Sequence, residues 1–210
     1  MITSRFHLAL AYASMVHQDQ RRKARDPQRK VPYIAHLLGV CAIVLENGGS
    51  ETEAVAALLH DTIEDQGGEA QGRRIGELFG PDVERIVRGC TDSFADTSLG
   101  EVKAPYAERK LNYIERLRGE PDDVALVSAA DKLDNARATA RNVGELGDDA
   151  WKIFKAPKPA TIAYYRALIA VYRTKGERVR PIVDELEAII ARVGVGVPNE
   201  RFEDLVKVGL

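Results

Sequence analysis

The stretch Ala56-Ala57-Leu58-Leu59-His60-Asp61-Thr62-Ile63-Glu64-Asp65 constrains this chain more than any other. An apolar run leads straight into a His-Asp pair, and an acidic pair follows one turn later. On a helix, His60 and Glu64 would stack at i,i+4, as would Asp61 and Asp65. Ionisable groups then crowd one end of an otherwise apolar helix, which burial disfavours unless the charges have a partner. A divalent metal ion is such a partner, because it takes imidazole nitrogen and carboxylate oxygen together. A solvated helix end is the competing reading, and this stretch alone does not decide between the two.

Two further stretches tilt the balance. Upstream, Pro32-Tyr33-Ile34-Ala35-His36-Leu37-Leu38 puts a second His near the start of an apolar-periodic segment. Downstream, Ser128-Ala129-Ala130-Asp131-Lys132-Leu133-Asp134-Asn135-Ala136-Arg137 puts an Asp inside a helix-favouring run of small residues. A lone His on an apolar face is usually a core residue, and a lone Asp on a helix is usually solvated. Here a His, a His-Asp pair and an Asp lie on three separate predicted helices, all in apolar context. Two His and two Asp suit Mn²⁺ or Fe²⁺, with Zn²⁺ also compatible. No thiolate ligands are on offer: Cys41 and Cys90 sit in apolar helical patterns and read as reduced core residues rather than a disulfide.

The rest of the chain reads as helix. Phe6, Ala9, Leu10, Ala13 and Val16 mark a first helix from about Ser4 to Gln18. A basic loop follows, from Gln20 to Lys30. Pro32 opens the His36 helix, with Leu37, Cys41 and Leu45 on its buried stripe and Asn47-Gly48-Gly49 at its end. Ser50-Glu51-Thr52-Glu53 is a capping-box signature, predicting a helix from Glu51 to about Glu64 that delivers His60 and Asp61. Gln66-Gly67-Gly68 breaks it. A short helix around Ile75, Leu78 and Phe79, closed by Gly80, and another opened by Pro81 come next. Periodicity fails from Thr91 to Lys103, which reads as a longer loop. Pro105 and Pro121 open two more helices, the second running through Asp131 to about Asn142. Amphipathic stripes through Ile162–Tyr172 and Ile182–Val193 close the helical part, before a Gly- and Pro-interrupted tail from Gly194 read as a loose arm or a packing strap. No strand or hairpin signal stands out. The expectation is an all-α protein of about eight to ten helices: one domain over residues 1–193, with a core at about 6–141, C-terminal helices at 158–193 packed on it, and a tail at 194–210.

A length of 210 residues, 45% hydrophobic and 30% charged, fits a soluble globular domain. A net charge of −2 and a pI near 6.1 imply no general attraction to nucleic acid or anionic membrane. No apolar run is long enough to span a bilayer and none reads as a signal peptide, so the expected location is cytoplasmic. Homo-oligomer formation is left open.

The order His…His-Asp…Asp resembles the HD-domain metal-dependent phosphohydrolases. The segments QRRK…PYIAH, AALLHDTIED and AADKLDNAR look more closely like the hydrolase domain of the RelA/SpoT family, especially its small stand-alone members. The likeness runs from about Phe6 to Arg141. It implies an HD-domain helical bundle in which His36, His60, Asp61 and Asp131 hold one divalent metal, Mn²⁺ first, with Fe²⁺, Zn²⁺ and Mg²⁺ as alternatives. Glu64 and Asp65 would activate and orient the attacking water. Arg22 and Lys23 would contact a nucleotide substrate, and Tyr33, Lys132 and Asn135 belong to the same substrate site, Asn135 alternatively orienting Asp131. The implied reaction removes the 3′-pyrophosphate from guanosine tetra- or pentaphosphate, in a hydrolase without a synthetase domain. The alternatives are an HD enzyme acting on NADPH or on a nucleoside mono- or triphosphate, and a non-catalytic nucleotide-binding module. The chain departs from the family pattern at Leu37, where Pro is usual, at Ser128, where Lys is frequent, and at Asp134, where an aromatic residue or His is frequent. Lys103, Arg109 and Lys110 form a second group of cations. At least two of them are expected on a solvated helix face, with a mobile lid as the functional alternative.

Overall fold

A computed structural model of the chain describes residues 1–23, 30–207 and 209. Residues 24–29 of the basic loop lie outside the described residues, so the expected loop is described only at its two ends. Those ends are pinned together: Arg22 N–H donates to Val31 O (2.9 Å) and Tyr33 N–H to Gln20 O (3.1 Å), around an isolated antiparallel bridge between Arg21 and Pro32.

The architecture is all-α, as expected. Among the described residues the helices are α1 (Ser4–Val16), α2 (Ile34–Glu46), α3 (Glu51–Leu59), α4 (Thr62–Gln66), α5 (Gly68–Phe79), α6 (Pro81–Cys90), α7 (Tyr106–Gly119), α8 (Asp122–Leu146), α9 (Lys158–Tyr172), α10 (Arg180–Val193) and α11 (Phe202–Lys207). Short 3₁₀ turns occupy Thr97–Leu99 and Gly147–Ile153. None of these helices is long and apolar enough to cross a membrane. Cys41 and Cys90 are free thiols, Cys41 buried and Cys90 half-buried.

Helix α3 is the hub. It packs against α1, α2, α6 and α8, and Ala54 through Leu59 are completely buried. Each buried Val or Leu side chain there contributes about 1.5–3 kcal/mol, so the helix has no freedom to slide or rotate. Its start is fixed by the expected capping box: Ser50 Oγ accepts from Glu53 N–H (3.3 Å), and Glu53 Oε2 accepts from Ser50 N–H (2.6 Å). Glu53 is itself buried and ion-paired with Arg178 (2.9 Å), just before α10, which ties the cap to the C-terminal helices.

The single helix expected from Glu51 to Glu64 does not form. It stops at Leu59, His60 and Asp61 make a turn, and α4 restarts at Thr62 with Asp61 as N-cap. Asp61, at φ −94°, ψ −4°, lies at the edge of the helical region. At this turn His60 Nε2 and Asp61 Oδ2 lie 3.1 Å apart, at one pocket. Two other boundaries move. Helix α5 begins at Gly68, earlier than Ile75 suggested, and the tail carries α11. Phe202 is buried against Tyr164 (centroids 5.4 Å apart), so α11 packs on α9.

The long α8 crosses the core, with Val124–Asp131 buried, and packs against α2, α3, α6 and α10. Helix α9 packs on α7 and α10. Ser128 is buried between Tyr113 OH (2.5 Å) and Tyr172 OH (2.7 Å), linking α8 to α7 and α9. At this family departure the hydroxyl is part of the core.

Candidate active site

His36 leaves the first turn of α2, His60 and Asp61 leave the turn after α3, and Asp131 leaves the middle of α8. The fold brings these residues together from three places in the chain. The ligating atoms of His36, His60 and Asp131 all lie within 4.8 Å of one another. His36 Nε2 is 3.2 Å from Asp131 Oδ1 and 3.6 Å from Asp61 Oδ2. His60 Nε2 is 3.1 Å from Asp61 Oδ2 and 3.6 Å from Asp131 Oδ1.

The imidazole tautomers follow from the other ring nitrogens. His60 Nδ1 lies 2.9 Å from Ala57 O, which can only accept, so Nδ1 carries the hydrogen. His36 Nδ1 lies 2.6 Å from Asp134 Oδ2 and donates to that carboxylate. Both Nε2 atoms are buried without a hydrogen-bond partner. Two buried lone pairs therefore face two carboxylates, an arrangement that costs free energy unless a cation lies among them. The donor set fits a divalent cation. The same demand appears in the titration. Burial opposes charge on His36, yet the facing carboxylates of Asp131, Asp134 and Asp61 push its pKa up to about 9. Burial also opposes charge on Asp131, but Lys132 and the two histidines hold its carboxyl well below the usual range.

The donors are held from behind. Tyr33 OH donates to Asp61 Oδ2, and its ring lies edge-on to His36 (5.5 Å). Asn135 donates to Asp131 Oδ1 (2.6 Å), and Lys132 to Asp131 Oδ2 (2.5 Å) while lying over the Tyr113 ring. Asn135, and Lys132 with it, thus orient Asp131, and Tyr33 orients Asp61. Asp134 supports His36 and also accepts from Arg22 Nη1 (3.0 Å), which fixes one expected phosphate contact beside the pocket. Lys23 is exposed at the described end of the loop.

Glu64 and Asp65 stand on α4, next to the His-Asp turn. Glu64 is ringed by charge. Lys103 Nζ reaches its carboxylate (3.1 Å) and its carbonyl (2.9 Å), and Arg109 lies 3.7 Å away. Arg109 and Lys110 also clamp the buried carboxylate of Asp92, Lys110 at 2.5 Å. Burial would raise the Asp92 pKa, but Lys110 and Arg109 pull it down to about 2. Burial and the neighbouring Asp92 push Glu64 up to about 7, against Lys110 and Lys103. The expectation that most of these cations are solvated is therefore corrected. Arg109 is buried, and all three cations are engaged in ion pairs around Glu64 and Asp92. Gly68 allows this approach. Its φ is +58°, and an added Cβ would sit 2.5 Å from Phe94 O, so only glycine lets the 91–103 segment close on α4.

Asp65 is exposed and accepts from Gln20 Nε2 (2.8 Å). His17, Gln20, Gln66 and Asp92 join the site without any local signal in the sequence, because their side chains meet only in the fold. Asp134, a departure from the family pattern, is the carboxylate that accepts from His36 Nδ1.

An all-α bundle with two histidines and two aspartates converging from α2, the α3–α4 turn and α8 defines a class, and the chain belongs to the HD domain family, whose profile matches residues 9–155. Within that family it is a RelA/SpoT hydrolase-like domain. It is 39% identical over 137 residues to the guanosine-3′,5′-bis(diphosphate) 3′-pyrophosphohydrolase MESH1 of Drosophila melanogaster, covering 64% of this chain and 69% of that one. It is 42% identical over 135 residues to the MESH1 of Xenopus tropicalis, covering 63% and 68%. The GTP pyrophosphokinase rsh of Brucella melitensis is 36% identical over 129 residues, which is 61% of this chain but 16% of that protein. Among solved structures, a metazoan orthologue of SpoT described as hydrolysing ppGpp superposes with a TM-score of 0.69 at 29% identity, covering 90% of this chain and 96% of that one.

Proposed function

We propose that this protein is a metal-dependent phosphohydrolase that removes the 3′-pyrophosphate from guanosine 3′,5′-bis(diphosphate), giving GDP and pyrophosphate. The observation that carries the chemistry is the pair of orphaned, buried Nε2 atoms of His36 and His60 facing Asp61 and Asp131. The likeness to the MESH1 enzymes supports the substrate.

In this reading His36, His60, Asp61 and Asp131 hold one divalent ion, with Mn²⁺ favoured by a set of two nitrogens and two carboxylates. When bound, that ion supplies positive charge that acidifies water and polarises the phosphorus–oxygen bond. Glu64 accepts the proton of the attacking water, with a pKa near 7 that matches a general base working at neutral pH. Asp65 accepts a second hydrogen bond from that water and fixes its direction. Lys103, Arg109 and Lys110 trade part of their carboxylate pairing for the substrate's phosphate oxygens, and Arg22 and Lys23 meet the phosphates from the loop side. Tyr33, Lys132 and Asn135 keep the pocket in register. Residues 1–193 act as one catalytic unit and 194–210 as its strap, in a cytoplasmic protein.

The test is a product assay with Mn²⁺ on guanosine tetraphosphate, NADPH and a panel of nucleoside mono- and triphosphates. Pyrophosphate and GDP from the tetraphosphate, abolished in Glu64→Ala/Asp65→Ala, are expected. Turnover of a different nucleotide alone would keep the metal pocket and discard the substrate.

A further inference from the structure

Asp65 presents a puzzle: it is exposed, yet it has to hold one orientation if it is to direct a water molecule. The structure shows what fixes it. Gln20 Nε2 donates to Asp65 Oδ2 (2.8 Å). The same amide's Oε1 lies 2.6 Å from His17 Nδ1 and accepts from Gln66 Nε2 (2.7 Å). With two donors on its oxygen, the Gln20 amide has only one satisfied orientation, the one that aims its NH₂ at Asp65.

His17 is the buried anchor of this chain, 2% exposed at the end of α1. Its other nitrogen faces the fully buried Thr62 hydroxyl (3.4 Å), and its ring stacks on Tyr33 at 5.3 Å and 24°. Tyr33 in turn donates to Asp61. Burial also holds the His17 pKa below its ordinary value. One buried imidazole therefore braces two carboxylates: Asp65 through Gln20, and Asp61 through the Tyr33 ring. The backbone bond from Tyr33 N–H to Gln20 O (3.1 Å) closes the circuit.

We infer that His17, Gln20 and Gln66 form a positioning relay that locks Asp65 Oδ2, leaving Oδ1 for the reacting water. These residues do not touch substrate. They act through Asp65, and the inference rests on Asp65 serving the water as proposed above. Misplacing a reacting group by about 1 Å costs up to about 100-fold.

The experiment is steady-state hydrolysis of guanosine tetraphosphate with Mn²⁺, alongside Mn²⁺ titration of each variant. Gln20→Ala is expected to lower kcat about 10–100-fold while leaving KM and Mn²⁺ affinity within about twofold of the parent, a split that general loss of stability would not produce. His17→Asn keeps a donor where Nδ1 lies and is expected to retain more kcat than His17→Ala. Asp65→Asn is expected to lose at least as much as Gln20→Ala, and the double variant Gln20→Ala/Asp65→Asn no more than Asp65→Asn alone. Parental kcat in Gln20→Ala beside an impaired Asp65→Asn would overturn the relay and leave the role of Asp65 standing. Parental kcat in Asp65→Asn would overturn both.

Discussion

Replacing Asp134 by Ala should weaken divalent-ion binding by about 10–100-fold, the usual cost of losing the outer partner of a ligating histidine. Asp134 Oδ2 lies 2.6 Å from His36 Nδ1, and this bond sets the tautomer that leaves Nε2 free. A hydrogen bond to a charged group contributes about 1.5–3 kcal/mol. At about 1.4 kcal/mol per tenfold, that again gives about 10–100-fold. Asn at this position keeps an acceptor without the charge, so Asp134→Asn should lose less. Gly39→Ala offers an independent perturbation, since its Cβ would sit 2.5 Å from Asp134 Oδ1 and push the carboxylate aside. The assay is Mn²⁺ titration by calorimetry, with circular dichroism melts to show that each variant is folded. Arg22→Ala is the control. Asp134 also anchors Arg22 at 3.0 Å, and if the loss ran through that anchor Arg22→Ala would reproduce it. Parental ion affinity in folded Asp134→Ala would show that Asp134 does not set His36 for the ion.

Other perturbations have equally definite outcomes. Glu64 has to be unprotonated to act as base, and its pKa is pushed up to about 7, so kcat should fall as pH drops through about 7. Lys103→Met removes a cation that favours the carboxylate and should move that limb to higher pH; an unmoved limb would remove Glu64 from the role. Asp92 has a folded pKa near 2, below the unfolded carboxylate value of about 3.9, so its contribution to stability is present above about pH 4 and is lost as pH falls towards 2. Asp92→Asn should therefore flatten the acid limb of stability in denaturant titrations across that window. Arg178→Ala leaves buried Glu53 without its cation and should cost about 1–2 kcal/mol, discounted for the half-exposed arginine, or a few degrees in melting temperature. Leu58→Ala, at a fully buried position of α3, should cost about 2–5 kcal/mol.

The bundle and the grouping of His36, His60, Asp61 and Asp131 were legible in the sequence because both depend on local signals. Helical periodicity, the Ser50–Glu53 capping box and the prolines at helix starts are short-range. The isolation of His36, His60-Asp61 and Asp131 in apolar context is visible without coordinates. The break after Leu59 was not legible, because Thr62-Ile63-Glu64 continues a good helical pattern. The turn sets His60 and Asp61 against His36 of α2 and Asp131 of α8, which no local window contains. The same holds for Lys103, Arg109 and Lys110. Their exposure depended on whether the 91–103 segment folds back on α4, and Gly68 decides that through contact with Phe94, 26 residues away in the chain. Asp134 read as a family departure, whereas in the fold it is the nearest support of His36. The His17–Gln20–Gln66 network was invisible because glutamines at ordinary helical spacing carry no signal until their amides meet.

The proposed metal site is tested most directly by anomalous diffraction at the manganese edge from crystals grown with Mn²⁺. One strong peak bounded by His36 Nε2, His60 Nε2, Asp61 and Asp131 is expected, absent in His60→Ala crystals whose fold is otherwise unchanged. An active crystal form with no peak there, or with its peak elsewhere, would contradict the proposed site.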